Sequence, residues 1–225
     1  MSVYGPLEHL GIATVFQAVG VAVALLAVSG VALRWQLAAS EGGVIPDEGV
    51  TLRNVFEVVV EGLSGVAENA MGHEWRTYFP LVGTLFFFIL ISNLLGLIPG
   101  LGGATSDVNT TAAWAIISVL VAEGVAVRKY GFGYLKRLMG PIPWLAWFFL
   151  PLEILLHGVR IMTLAIRLLA NMFADHTVVG VWLTLVPVVI PALFLGLGMV
   201  IAVLQEFVFS LLTMVYIGEA LEEAH

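Results

Sequence analysis

Cysteine is absent from all 225 residues. That excludes disulfides and thiolate metal sites and leaves the redox compartment open. Charge is scarce too: Asp, Glu, Lys and Arg make up 11% of the chain against 60% apolar residues, where soluble domains carry about 25% charged residues. One soluble core of this size cannot hide so much apolar surface. The expectation is an all-α integral membrane protein, because helices satisfy their own backbone groups in lipid. A membrane β-barrel is excluded by the long unbroken apolar runs, which replace alternating segments of about ten residues. Lys and Arg are missing from residues 1–10, which carry Glu8. Without a basic n-region, the first apolar run reads as retained rather than cleaved. The formal net charge is −7, with Glu219, Glu222 and Glu223 near the C-terminus. This acidity argues against nucleic acid as a partner.

The apolar runs set the expected organisation, a single membrane domain over 1–225. Residues 10–33 are uncharged and meet the need of about 20 apolar residues per crossing, giving a first span at 10–35. A loop with Glu41, Gly42, Gly43, Pro46, Asp47 and Glu48 follows. Over 51–75, Val55, Val58, Val59, Leu63 and Val66 recur near helical spacing, while Arg53, Glu57, Glu61 and Glu68 punctuate them. This predicts an amphipathic helix at the surface or against the bundle. Spans two and three are expected within 77–127, the second ending at Pro99 and the third holding Glu123 near its end. A basic loop covers 128–140, with Arg128, Lys129, Lys136 and Arg137. Residues 143–220 form a helical hairpin turning near Pro187 and Pro191; both arms exceed a perpendicular crossing, so both are expected to be tilted. Arg34, Arg53 and Arg76 flank the other connection on the basic side, whereas 100–109 has no basic residue. The bias places the N-terminus outside and the C-terminus in the cytoplasm.

An ionisable residue at membrane depth is costly and is a functional hypothesis by default. Only Glu153, Arg160, Arg167, Asp175 and Glu206 carry charge between 141 and 218, joined by His157 and His176. At about 100° per residue, Glu153, His157, Arg160, Arg167 and Asn171 share an arc of roughly 80°. His176, nine residues past Arg167, points to roughly the opposite side. Arg167 stays cationic, so it suits a fixed barrier that attracts a mobile carboxylate, while His176, Glu153 and Asp175 suit a proton relay. The plainer reading is that a buried Arg pairs with an acid to hold helices together; a stripe continuing for several turns weakens it. His176 could equally serve a hydrogen bond at a helix end, Glu206 could snorkel, and Glu123 could anchor an interface. Asn93, Asn109 and Asn171 could each bond between helices, worth roughly 1 kcal/mol.

The run Arg167, Leu168, Leu169, Ala170, Asn171, Met172, Phe173, Ala174, Asp175, His176 resembles the most characteristic motif of subunit a of F-type ATP synthases. Pro151, Leu152, Glu153 and His157 lie upstream at the matching distance. Gln205, Phe209, Tyr216 and Ile217 lie downstream, and two earlier segments, Ser92–Pro99 and Asp107–Thr111, agree in order. The resemblance covers about 77–225, and the ending at 216–225 is similar to the bacterial and chloroplast form. It implies a stator subunit packed against a ring of c subunits and held by peripheral stalk b subunits in a bacterial inner membrane. It also implies two proton half-channels that couple translocation to rotation. Arg167 would face the rotor carboxylate, flanked by Asn171 and Gln205. Glu153, His176 and Asn109 would lie in the outer channel, and Glu123 and Glu206 are candidates for a cytoplasmic path. No G-x-x-x-x-G-K-S/T loop is present, so a non-catalytic subunit without cofactor or metal is expected. The family usually places Glu or His seven residues before the Gln. Here Gly198 stands there, leaving Asp175 or Glu153 as partner for His176. Ile161 replaces a common Pro six residues before the Arg, which predicts a straighter helix. The rival readings are a stand-alone secondary transporter with its own midplane substrate site and a purely structural scaffold.

Overall fold

The structure, a computed structural model, describes residues 14–39, 51–98, 103–131, 133–134, 144, 146–186 and 189–221. Outside these lie the loop from Glu41 to Glu48, Pro99, Lys136, Arg137, Pro143, Pro187, Glu222 and Glu223. Six long helices run in order: α1 Thr14–Ala39, α2 Leu52–Met71, α3 Trp75–Gly96, α4 Val108–Tyr130, α5 Ala146–Leu185 and α6 Val189–Leu221. Short 3-10 turns occupy Gly72–Glu74 and Ala104–Ser106, and no strand occurs among the described residues. Among the described residues five helices are long and apolar enough to cross a membrane, matching the five expected spans.

Local chemistry sets the boundaries. Thr51 caps α2 by accepting from the Asn54 N–H at 3.2 Å, and Asp107 caps α4 by accepting from the Asn109 N–H at 2.7 Å, each satisfying an orphan donor of the first turn. Gly72 (φ 63°) and Gly131 (φ 53°) close α2 and α4 in backbone conformations that a side chain would strain. Arg128 and Lys129 fall in the last turn of α4, where cations suit the exposed carbonyls. Lys129 donates to the carbonyl of Leu221, tying the end of α4 to the end of α6.

The amphipathic helix forms, with a shifted buried face. Leu63, Ala67 and Met71 pack on Val82 and Phe86 of α3 and on Met214 and Ile217 of α6, whereas Val55 and Val58 are exposed. Phe56 stacks on Phe87 of α3 and Arg53 is buried as well, so α2 meets the bundle along its length and Val55 and Val58 are exposed because they point away from it. A second cluster joins α1 to the centre: Ala18 and Ala22 with Phe88 and Ile89 of α3, Ala115 of α4, Leu164 and Leu168 of α5 and Phe209 of α6. Helix α6 packs on α2, α3, α4 and α5 and is the axis of the fold.

At 1.5 Å per residue, α5 (40 residues) and α6 (33 residues) reach about 60 and 50 Å, well beyond a hydrocarbon core of about 30 Å. Helix α5 is continuous through Ile161, with Pro151 its internal proline. The hairpin breaks between Leu185 and Val189, so Pro191 lies in the first turn of α6 instead of in the turn itself. Only 6% of the most apolar window of α5 is buried, against 28% for α6. Trp147, Ile154, Met162, Ile166 and Phe173 form a broad exposed apolar face.

Candidate functional site

Helices α5 and α6 run antiparallel, and their facing polar residues form two groups separated by Arg167. Near the α5–α6 turn, Asn171 Nδ2 donates to Gln205 Oε1 at 2.7 Å. A small cavity of about 10 Å³ opens beside this pair, lined by Asn93 of α3, Asn171, Met172 and Asp175 of α5, and Ala202 and Gln205 of α6. Asn93 Oδ1 accepts from the Thr105 hydroxyl at 2.7 Å, fully buried. One turn further along α5, His176 Nε2 lies 2.7 Å from the carbonyl of Gly96. A carbonyl only accepts, so Nε2 carries hydrogen and donates to it.

Two glycines permit this arrangement. A Cβ on Gly96 would stand 2.7 Å from Met172 Sδ and Cε, the mobile end of a flexible side chain, so glycine leaves Met172 room to pack where His176 reaches the Gly96 carbonyl. A Cβ on Gly198 would stand 2.8 Å from Leu97 Cδ2 and 3.4 Å from the Asp175 carboxyl. Asp175 therefore projects over the space that Gly198 leaves open. Of the two candidate partners for His176, the structure brings up Asp175, its chain neighbour. Glu153 is 23 residues away on the same helix, roughly 35 Å along the axis, too far to be the partner of His176.

Glu153 belongs to the other group, at the end of the bundle where Arg128 and Lys129 lie. A cavity of about 250 Å³ there is lined by Glu123 and Tyr134, by Glu153, His157 and Arg160 of α5, and by Tyr216 and Glu219 of α6. His157 Nε2 contacts Glu123 Oε1, and Tyr134 donates to Glu123 Oε2. His157 Nδ1 lies 2.7 Å from the Glu153 carbonyl. Arg160 Nη1 donates to Glu219 Oε2 at 3.0 Å, with its guanidinium 4.8 Å above the Tyr216 ring. Glu123 is thus a cavity group rather than an interfacial anchor.

Glu206 does not join this cavity and does not snorkel. It is 0% exposed, and its Oε1 accepts from Ser210 at 3.0 Å. Its carboxyl lies in the packed interior and lines neither cavity. Asn109 sits exposed in the first turn of α4, and its side chain makes no hydrogen bond to the polar seam among the described residues.

Arg167 stands between the groups. It is half-buried, next to Ile166 on the exposed apolar face of α5. Among the described residues it makes no hydrogen bond, ion pair or ring contact. Sequence reasoning placed the stripe but missed Tyr134, Thr105 and Gly96. Nothing in their spacing marks them; each matters through a contact made by the fold.

The fold and site define a polytopic helical membrane protein with two polar groups on one seam, between them an arginine unpaired among the described residues, and an open apolar helix face. The chain belongs to the ATP synthase A chain family, whose pattern it matches over residues 16–218. ATP synthase subunit a of Bdellovibrio bacteriovorus is 40% identical over 223 residues, covering 99% of this chain and 93% of that protein. ATP synthase subunit a 1 of Syntrophotalea carbinolica is 42% identical over 203 residues, covering 89% and 83%. ATP synthase subunit a of Geobacter sulfurreducens is 42% identical over 174 residues, covering 77% and 76%.

Proposed function

We propose that this chain is the stator subunit a of an F-type ATP synthase, a non-catalytic channel subunit in a bacterial inner membrane, with its N-terminus outside. Its open α5 face docks a ring of c subunits, and peripheral stalk b subunits hold it in place. The observation that carries this reading is Arg167, a permanent cation without a partner among the described residues, at the edge of an exposed apolar helix face. A lone charge there is expensive, and a rotor carboxylate arriving from lipid would compensate it.

Protons enter from outside through Asp175 and His176 and reach the Asn171–Gln205 level. There they neutralise the rotor carboxylate, which can then move into lipid. After a near-full turn the carboxylate meets the cavity of Glu123, Glu153 and His157 and releases its proton to the cytoplasm, the side assigned by Arg128 and Lys129. Arg167 keeps the two paths apart because its guanidinium cannot pass a proton on. Each charge crossing 100 mV yields about 2.3 kcal/mol, so several must pass per ATP. A stand-alone transporter would need a substrate site between broken helices; the unbroken course of α5 past Arg167 does not favour it. Arg167→Ala should abolish proton-driven ATP synthesis in membranes that still contain the assembled complex. Synthesis at the parent rate would overturn the role.

A further inference from the structure

The cavity near Glu123 contains a histidine whose two ring nitrogens both face oxygen atoms. Resting on the stator reading, we propose that His157 and Glu123 are a proton-relay pair at the cytoplasmic exit, loading the proton that the rotor releases and passing it to water.

The Glu153 carbonyl, 2.7 Å from Nδ1, can only accept, so Nδ1 carries hydrogen. Nε2 then faces a carboxylate oxygen of Glu123. A neutral ring and an ionised carboxylate would oppose lone pair to lone pair; the contact bonds only with a proton between them. The pair therefore has a place for one proton beyond that on Nδ1, shared between Nε2 and the Glu123 oxygen. Tyr134 donates to the other Glu123 oxygen, which holds the carboxylate in place without supplying that proton.

The surroundings suit transfer. Facing His157 and Glu123 are Tyr134, the Glu153 carboxylate 4.0 Å from Nδ1, and Arg160 bound to Glu219 of α6 at 3.0 Å. Among the residues lining the cavity three carboxylates stand with one arginine, while Arg128 and Lys129 lie in the last turn of α4 at the same end. The cavity, about 250 Å³, has room for several waters. His157 is ten residues before Arg167, about 15 Å along α5, so it is set back from the rotor on the exit side. The step conserves its parts. The incoming proton adds between Nε2 and Glu123, giving imidazolium beside carboxylate. The same proton then leaves to cytoplasmic water, restoring neutral imidazole and carboxylate.

The competing reading is a static tie between α4 and α5. Glu123→Gln separates the two, because its amide can donate to Nε2 and keep the tie while removing the titratable oxygen. The assembled complex is placed in vesicles with pH set independently on each face, and proton flux is measured per assembled complex for the parent, Glu123→Gln, His157→Gln and Arg167→Ala. Both relay variants are expected to lose roughly tenfold in flux. Their flux should no longer depend on cytoplasmic-face pH, while its dependence on outer-face pH is retained. If His157→Gln fails to assemble, Glu123→Gln decides alone. Parent flux with the parent pH profile in Glu123→Gln overturns the relay. If Arg167→Ala has lost coupled flux in the same vesicles, only the relay fails; if Arg167→Ala retains it, the stator reading fails as well.

Discussion

The amide pair beside Arg167 offers a quantitative test of the seam. Asn171 Nδ2 donates to Gln205 Oε1 at 2.7 Å, Gln205 is 8% exposed, and its Nε2 has no other partner among the described residues. The whole hydrogen bonding of Gln205 thus rests on Asn171. Interhelical bonds of this kind in membranes contribute about 0.6 kcal/mol on average and up to about 1.7. A buried acceptor left unpaired costs about 1–3 kcal/mol. Asn171→Leu should therefore destabilise the chain by about 1.5 kcal/mol, roughly a tenfold change in the folded ratio. Gln205→Leu should cost a similar amount, and the double variant little more than either alone, because it leaves no orphan behind. The coupling then comes to about 1 kcal/mol. A double-mutant cycle by denaturant unfolding in detergent reads this directly. Additivity to within about 0.3 kcal/mol would mean that the two amides do not depend on each other, and the packing of the seam would have to be redrawn.

Three further outcomes follow from the same geometry. His176→Ala should slow proton translocation several-fold while complex content falls little, measured as vesicle acidification per assembled complex; an unchanged rate would remove His176 from the path. Asp175→Ala should slow translocation too, and adding Gly198→Glu should restore part of it, because the new carboxyl enters the space Asp175 vacates; in the parent the same Gly198→Glu should inhibit by crowding Asp175 and Leu97. Arg160→Ala should cost under about 1 kcal/mol in thermal stability, because the Arg160–Glu219 pair is partly exposed, at 34% and 50%.

Much of the architecture is legible in the sequence because lipid imposes one simple rule. Uncharged runs long enough to cross must be helices, and their ends are marked by caps such as Asp107 and by glycines such as Gly131. The stripe from Glu153 to Asn171 is equally legible, since helical spacing alone fixes which residues share a face. What periodicity cannot supply is the partner across the gap. Glu153 matched its motif at the right distance from Arg167, yet the axial rise along α5 carries it to the end of the bundle away from His176. Val55 and Val58 fit the apolar period of α2 but lie where no other helix reaches. Glu206 looked like a residue able to snorkel because its depth could be counted, whereas its direction depended on how α6 packs. Gly198 was visible only as a missing titratable group; that Asp175 occupies the opened space is a property of two helices in contact.

The central claim is that Arg167 is a fixed cation awaiting a carboxylate from a rotor. An experimental structure of the assembled complex, resolving side chains along α5, tests it most directly. The account predicts the Arg167 guanidinium facing the membrane-depth carboxylate of a c subunit, with the two polar cavities on opposite sides of that contact. Arg167 turned inward onto an acid of this same chain, or facing lipid with the c-ring docked elsewhere, would contradict it.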